Sequence, residues 1–317
     1  MKILANDGVS ESGVKKLKDA GHEVIEKKVA QEQLIDYINE NEINVILVRS
    51  ATKVRKDIID ACDSLKIIGR GGVGLDNIDV DYAQSKGIKV INTPAASSES
   101  VAELVLAHIF SGVRFLKDAN REMPLEGDKK FKVLKKAYAK GSELKGKTLG
   151  IIGFGRIGQE LAKKAIGLGM KVKAFDVQEF SVDLQLDFYD GQSLTFSIST
   201  EKMDSVLAES DFISVHVPAQ KEYIIGKKEI EKMKTSAAII NTARGGVIDE
   251  VALVEALDEN KLSFAALDVF ENEPEPPVQL LMNQKLSLSP HIGGATVEAQ
   301  DRIGVELADQ IISISNS

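Results

Sequence analysis

Short runs rich in Val and Ile alternate with amphipathic stretches along nearly the whole chain, and this rhythm limits the possible folds more than any other feature. Apolar runs with no polar alternation suit strands covered on both faces, and the amphipathic stretches between them suit crossover helices. The reading is an α/β protein built on parallel sheets. Strands are expected first at Lys2–Ala5, Glu23–Ile25, Val45–Val48, Ile67–Ile68 and Val90–Ile91, with helices starting near Ser10, Ala30, Lys56 and Asp79. The rhythm resumes at Leu149–Ile152, Lys171–Phe175, Phe212–Val215, Ala238–Ile240, Phe264–Leu267 and Leu286–Leu288. Two such series predict two doubly wound parallel-sheet domains, the second inserted into the first. At 317 residues the chain exceeds what one core usually holds, and its 43% hydrophobic share can fill two.

The first boundary is placed after Asn92-Thr93-Pro94, where proline ends the strand pattern and Ser97 to Ser100 offer caps for an apolar helix from Val101 to Val113. The polar, Lys-rich stretch from Lys117 to Lys147 reads as exposed helix and loop, and Gln178 to Thr200 shows no clear element. The last helix, Ala295 to Ile312, follows a completed second sheet and is expected to return to the first domain. The expected division is therefore 1–93 plus 295–317 for one domain and 94–294 for the other.

Charge and cysteine content narrow the function. With Lys+Arg 40 against Asp+Glu 48 the net charge is −8, which makes a poor general partner for nucleic acid or anionic lipid. The single cysteine, Cys62, permits neither an intrachain disulfide framework nor a CxxC metal knuckle, so no metal site is expected and a reducing compartment fits. The N-terminus lacks the apolar core of a signal peptide, and no apolar run reaches the roughly 18 residues of a spanning helix. A cytoplasmic protein is the expectation.

Directly after the strand ending at Ile152 stands Gly153-Phe154-Gly155-Arg156-Ile157-Gly158, where a helix begins. Here Gly153 permits a tight turn, Gly155 lets a pyrophosphate approach the backbone, and Gly158 lets the helix pack on the strand with its N-terminal dipole toward the phosphates. The next strand ends in Asp176, about 20 residues past the last glycine, where a carboxylate binds the ribose hydroxyls and repels a 2′-phosphate. NAD is the expected cofactor, which makes 94–294 the expected Rossmann NAD-binding domain and leaves 1–93 plus 295–317 as the expected substrate-binding domain.

Four further candidates stand at or just beyond later strand ends: Arg244, Asp268, Glu273 and His291. Ligands of open α/β sheets gather beyond the carboxyl ends of the strands, so these four are expected to share a crevice. Oxidising an alcohol needs a base for the hydroxyl proton as hydride leaves carbon, and histidine titrates near working pH. A carboxylate such as Glu273 would orient that ring and favour its imidazolium form. Arg244 would grip a substrate carboxylate with two prongs and steady charge on the reacting oxygen.

At these residues the sequence resembles the NAD-dependent D-2-hydroxyacid dehydrogenases, and within them the phosphoglycerate dehydrogenase branch. The resemblance covers nearly the whole chain. It rests on Arg49-Ser50-Ala51-Thr52-Lys53-Val54, Gly69-Arg70-Gly71-Gly72-Val73-Gly74-Leu75-Asp76-Asn77-Ile78-Asp79, Val101-Ala102-Glu103-Leu104 and the glycine loop. It continues in Asn241-Thr242-Ala243-Arg244-Gly245-Gly246, Leu267-Asp268-Val269-Phe270-Glu271-Asn272-Glu273-Pro274 and Ser289-Pro290-His291-Ile292-Gly293-Gly294.

The resemblance implies that Arg244 binds substrate and that Glu273 pairs with His291, the acid/base. It implies cofactor contacts through Gly153, Gly155, Arg156, Ile157, Gly158, Asp176, His216, Pro218, Thr242, Ala243, Arg244, Asp268, His291, Gly293 and Gly294. Val73 and Gly74 correspond to the loop that grips the substrate carboxylate, and Arg49 with Ser50 to a phosphate-contacting pair. Ser97 stands where the family often has Asn. A homodimer or homotetramer is implied, with the helix from Val101 to Val113 in the contact and Lys135 and Lys136 as candidates to reach a neighbour's phosphate pocket. The chain stops at Ser317, where longer members of that branch continue, so serine feedback through a further module is not expected.

The function expected is NAD-dependent oxidation of a phosphorylated 2-hydroxy acid, D-3-phosphoglycerate. The alternatives are a glyoxylate, hydroxypyruvate or D-lactate type reductase with the same machinery, and a non-catalytic NAD(H)-sensing protein like the corepressors that share this fold.

Overall fold

The structure, a computed structural model, describes residues 1–316. The first stretch runs β1 (Lys2–Ala5), α1 (Glu11–Asp19), β2 (Glu23–Ile25), α2 (Leu34–Glu40), β3 (Val45–Val48), α3 (Lys56–Ala61), β4 (Ile67–Arg70), α4 (Val80–Ser85) and β5 (Lys89–Asn92). Two long helices follow, α5 (Ser98–Val113) and α6 (Leu116–Ala137), then β6 (Thr148–Ile152), α7 (Arg156–Gly167), β7 (Lys171–Phe175), β8 (Ser181–Asp187), β9 (Ser193–Ser199) and α8 (Met203–Glu209). The remainder is β10 (Phe212–Val215), α9 (Lys227–Lys232), β11 (Ala238–Asn241), α10 (Glu250–Asp258), β12 (Phe264–Leu267), α11 (Val278–Leu281), β13 (Leu286–Leu288) and α12 (Val297–Ser315).

The chain divides into two compact units, Met1–Ser100 with Gly294–Ser317, and Val101–Gly293. The first break thus falls within α5, later than the expected 93/94. The reason is that Ala96 joins the first unit's core beside Ile303 and Leu307, while Ser100 hydrogen-bonds Thr296 at 2.8 Å.

In the first unit five parallel strands lie in the order β2-β1-β3-β4-β5. Alternate residues face opposite ways, and both faces are apolar. Leu4, Ile46, Val48 and Ile68 meet Leu34, Ile38 and Ile58 on one side, whereas Ile3, Val45, Leu47 and Ile67 meet Leu17, Ile303, Leu307 and Ile311 on the other. The last helix therefore supplies half of one layer. Its backbone crosses α1 so closely that a Cβ on Gly13 would sit 2.6 Å from the Gly304 carbonyl.

In the second unit six parallel strands lie in the order β13-β12-β11-β10-β6-β7. Ile213, Val215, Ile239 and Leu267 pack under Val206, Leu253 and Leu257 on one face. Leu149, Ile151, Ile240 and Ala266 pack under Val105, Ile109, Leu161 and Ala165 on the other. The segment without a sequence assignment, 178–200, forms the antiparallel hairpin β8–β9, whose Leu184 and Leu186 are buried on the α7 side of the core. Thr200 then bridges Ala174 in parallel, so a single residue stands where a further edge strand would lie. No helix among the described residues is long and apolar enough to cross a membrane.

Candidate active site

The six strands of the second unit all point one way, so the residues that follow them collect along one edge. After β6, between β10 and β7, comes the glycine loop. Gly153 has φ +93°, and a Cβ there would lie 2.7 Å from the His216 carbonyl oxygen, so only glycine fits. A Cβ on Gly158 would lie 2.5 Å from the Gly153 carbonyl, which brings α7 close against β6. Around Gly155 there is open space, and Arg156, exposed, begins α7. Ile157 follows in that first turn, where unpaired amides and the helix dipole favour an anion.

Asp176 follows β7. One carboxylate oxygen accepts the Phe154 amide at 2.8 Å and so fixes the loop's shape, and the other has no partner among the described residues. His216 follows β10, with Nε2 2.9 Å from Ser214 Oγ and Nδ1 buried without a partner. Desolvation pushes its pKa down to about 3, so the ring is neutral at physiological pH. Pro218 lies exposed two residues on.

After β11 the side chain of Asn241 folds the turn: its Oδ1 accepts the Ala243 amide at 3.0 Å and its Nδ2 donates to the Arg244 carbonyl at 2.9 Å. Arg244 Nη1 donates to the Ala243 carbonyl at 2.7 Å, and Thr242 Oγ1 is buried without a partner. A Cβ on Gly245 would lie 1.9 Å from the Phe270 carbonyl oxygen, so this turn lies directly on the loop after β12.

That loop carries Asp268, 1% exposed, and Glu273. Asp268 Oδ1 accepts from Ser289 Oγ at 2.6 Å and from the Ile292 amide at 2.8 Å, and Oδ2 accepts the Gly293 amide at 2.8 Å. Its own carbonyl accepts the His291 amide at 2.8 Å. His291 is held in the left-handed region, φ +54°, a conformation that costs a non-glycine residue on the order of 1 kcal/mol. Its Nδ1 lies 2.8 Å from Glu273 Oε2, while Glu273 Oε1 accepts the Phe270 amide at 3.0 Å. An ionised carboxylate only accepts, so Nδ1 carries a proton and Nε2 is left for a reacting group.

The first unit holds the other candidates. Arg49 and Ser50 follow β3, where the Arg49 amide donates to Asp7 Oδ2 at 2.7 Å. The Arg49 guanidinium has no hydrogen bond or ion pair among the described residues. A depression there is lined by Asp7, Lys27, Lys28, Arg49 and Ser50 among others. The Asp7 carboxylate is already engaged by the Arg49 and Thr52 amides and the Thr52 hydroxyl. Val73 and Gly74 follow β4 past Gly72, at φ +138°, whose amide donates to Thr93 Oγ1 at 2.8 Å. Asn92 Nδ2 holds the Val73 carbonyl at 2.7 Å. Ser97 is buried, 3.3 Å from where a Cβ on Gly294 would stand.

The sequence analysis names the residues that follow β3, β4, β6, β7, β10, β11, β12 and β13 and misses four partners. Ser289 and Asn241 lay inside motifs it quoted, where position alone does not tell a turn-former from a ligand-binder. Lys27 and Lys28 were visible as a basic pair after a strand.

The residues of the second unit fit a dinucleotide: open space over Gly155 for a pyrophosphate, a free Asp176 oxygen for ribose hydroxyls, and two orphaned polar atoms, on His216 and Thr242. Comparison with known proteins agrees. The sequence profile of the D-isomer specific 2-hydroxyacid dehydrogenase NAD binding domain matches residues 106–293. A hydroxypyruvate reductase of Thermotoga maritima is 46% identical over 91% of this chain and 90% of its own. A D-3-phosphoglycerate dehydrogenase of Methanocaldococcus jannaschii is 41% identical over 98% of this chain, which spans only 57% of that relative. The structure of an NAD+-bound 3-phosphoglycerate dehydrogenase from Entamoeba histolytica superposes with a TM-score of 0.76 at 31% identity, over 100% of this chain and 96% of the other.

The chain belongs to the D-isomer specific 2-hydroxyacid dehydrogenase family. It is an NAD-dependent oxidoreductase acting on 2-hydroxy acids.

Proposed function

We propose that the chain interconverts D-3-phosphoglycerate and 3-phosphohydroxypyruvate. One observation carries this reading over its rivals: the first unit gathers Lys27, Lys28 and Arg49 around one depression, where the Asp7 carboxylate is spent on backbone and hydroxyl donors and that of Glu26 is paired with Lys18. An unphosphorylated acid has no dianion for such a group to neutralise. Supporting it, a 41% identical relative is named for that activity.

The roles follow from the bonds described above. NAD, held by the glycine loop and Asp176, would supply the hydride acceptor for the alcohol carbon, and its reduced form the donor in the reverse direction. His291 Nε2 removes the hydroxyl proton as the hydride leaves, and gives it back in the reverse direction. Glu273 holds the ring in the tautomer that exposes Nε2. Arg244 binds the substrate carboxylate and steadies the oxygen, helped by the amides at Val73 and Gly74. Arg49 and Ser50 receive the phosphate. Asp176, His216, Pro218 and the Thr242–Arg244 turn line the cofactor, with Gly293 and Gly294 beside it. In this reading the first unit is the substrate domain and the second the NAD domain. The exposed apolar residues of α6, among them Leu125, Phe131 and Val133, support self-association as a dimer or tetramer, which sedimentation tests.

The experiment follows nicotinamide absorbance with NADH and, separately, 3-phosphohydroxypyruvate, hydroxypyruvate, glyoxylate and pyruvate. The phosphorylated acid is expected to give the highest kcat/KM by about 10²-fold, a difference of roughly 3 kcal/mol. Equal or better turnover of hydroxypyruvate gives the substrate to the second reading, hydroxypyruvate reduction, which the 46% identical relative supports.

A further inference from the structure

On α5, one layer behind the loop that carries His291, lies a second histidine. His108 is 6% exposed and both its ring nitrogens are bonded: Nδ1 lies 2.8 Å from Ser287 Oγ and Nε2 lies 3.0 Å from Ser289 Oγ. The direction of each bond can be assigned. Asp268 as a carboxylate only accepts, so the Ser289 hydroxyl proton goes to Asp268 Oδ1 at 2.6 Å. Ser289 Oγ then faces His108 with a lone pair, so Nε2 carries the ring proton and Nδ1 accepts from the Ser287 hydroxyl. Burial lowers the pKa of His108 and keeps the ring neutral, as this arrangement requires.

The chain of bonds ends on the proposed acid/base loop. Asp268 grips the Ile292 and Gly293 amides with its two oxygens and the His291 amide with its carbonyl. An aspartate this deeply buried needs donors that fix its rotamer. Backbone amides fill two of those contacts, and the Ser289 hydroxyl is the only side-chain donor to the carboxylate among the described residues. Without a donor behind it, Ser289 Oγ is free to rotate away. Phe264 and Val105 supply packing nearby in this core but no polar contact.

We propose that His108 is a positioning residue: its Nε2–H, through Ser289 and Asp268, locks the 291–293 loop and so holds His291 in its left-handed conformation. The consequence for turnover rests on the proposed role of His291, and the lock itself does not.

The test compares three variants. His108→Leu removes both polar atoms at similar volume. His108→Gln keeps a donor near the Nε2 position, and His108→Asn keeps one near Nδ1 only. Hydrogen exchange at the Ile292 and Gly293 amides reads the lock directly, and steady-state kinetics reads its effect. In His108→Leu the two amides are expected to exchange about tenfold faster and kcat to fall about tenfold with little change in substrate KM, the pattern of a misplaced group. His108→Gln restores both readouts and His108→Asn neither. Unchanged exchange in His108→Leu, or Leu and Gln variants that behave alike, overturns the proposal. Faster exchange with an unchanged kcat upholds the lock and shows that turnover does not depend on it.

Discussion

At the carboxyl ends of the six-stranded sheet the polar side chains hold one another, whereas at those of the five-stranded sheet the Arg49 guanidinium has no hydrogen-bond or ion-pair partner among the described residues. Asp268 satisfies four donors with three oxygens, Asn241 closes its own turn, and Glu273 holds both His291 and a backbone amide. In the first unit Asp7 is bonded inward and the Lys27 ammonium lies over the Tyr37 ring, which leaves the Arg49 guanidinium to something from outside. One edge is organised before any ligand arrives, and the other is organised by charge that a ligand must complete. Damage to the first should appear in kcat, and damage to the second in substrate affinity.

The sharpest break of that comparison is His291→Ala. Turnover should fall by about 10³-fold, the scale of a lost general acid/base, while NADH fluorescence titration stays near wild type. Turnover that survives would move the chemistry to another residue. Next comes Arg49→Ala, expected to raise the KM for the phosphorylated acid about 30-fold, roughly 2 kcal/mol, with kcat and the hydroxypyruvate KM little changed. Equal losses on both substrates would remove the phosphate reading. Within the glycine loop two substitutions should separate stability from binding. Gly155→Val meets open space, so its melting temperature should hold while NADH affinity drops about tenfold. Gly158→Val drives into the Gly153 carbonyl and should lose both.

The smallest effect concerns acid. Burial lowers the pKa of His108, and takes that of His216 to about 3, while in the unfolded chain both titrate near 6.5. Below about pH 6.5 the unfolded chain therefore binds more protons, so folding stability falls as pH drops through that window and is regained as pH rises. Melting temperatures from pH 7 to 5 should show this slope, and His108→Gln should flatten it. A slope identical to wild type would place its source elsewhere.

Strands buried on both faces are uniformly apolar, which is why β3, β6, β10 and β12 could be read from the sequence almost to the residue. The glycine loop was equally legible, because a tight turn and a close helix admit so few residues. The hairpin β8–β9 was not, although Val182, Leu184 and Leu186 alternate with polar neighbours and Asp190-Gly191 marks its turn. Its period belongs to antiparallel pairing, and the surrounding βα rhythm points to parallel crossovers instead. Asp268 was read as a cofactor contact, yet its carboxylate is consumed within the protein, a fact that depends on residues more than 20 positions away. His108 reads as one more residue of an apolar helix until the serines of β13 and the loop beyond it are placed beside it. The domain boundary slipped for a similar reason: Pro94 ends a strand, but packing continues through Ser100.

Helix α12 has one more implication. It covers Ile3, Val45, Leu47 and Ile67 with Ile303, Leu307 and Ile311, residues joined only after the whole second unit has been synthesised. On the ribosome the five-stranded sheet waits with half of one oily face bare while the six-stranded unit can fold as soon as it emerges. The usual order of N-terminal before C-terminal folding is thus inverted for the first unit. Closing that sheet is also a long-range event, so it is the step most exposed to aggregation and to chaperone capture during synthesis.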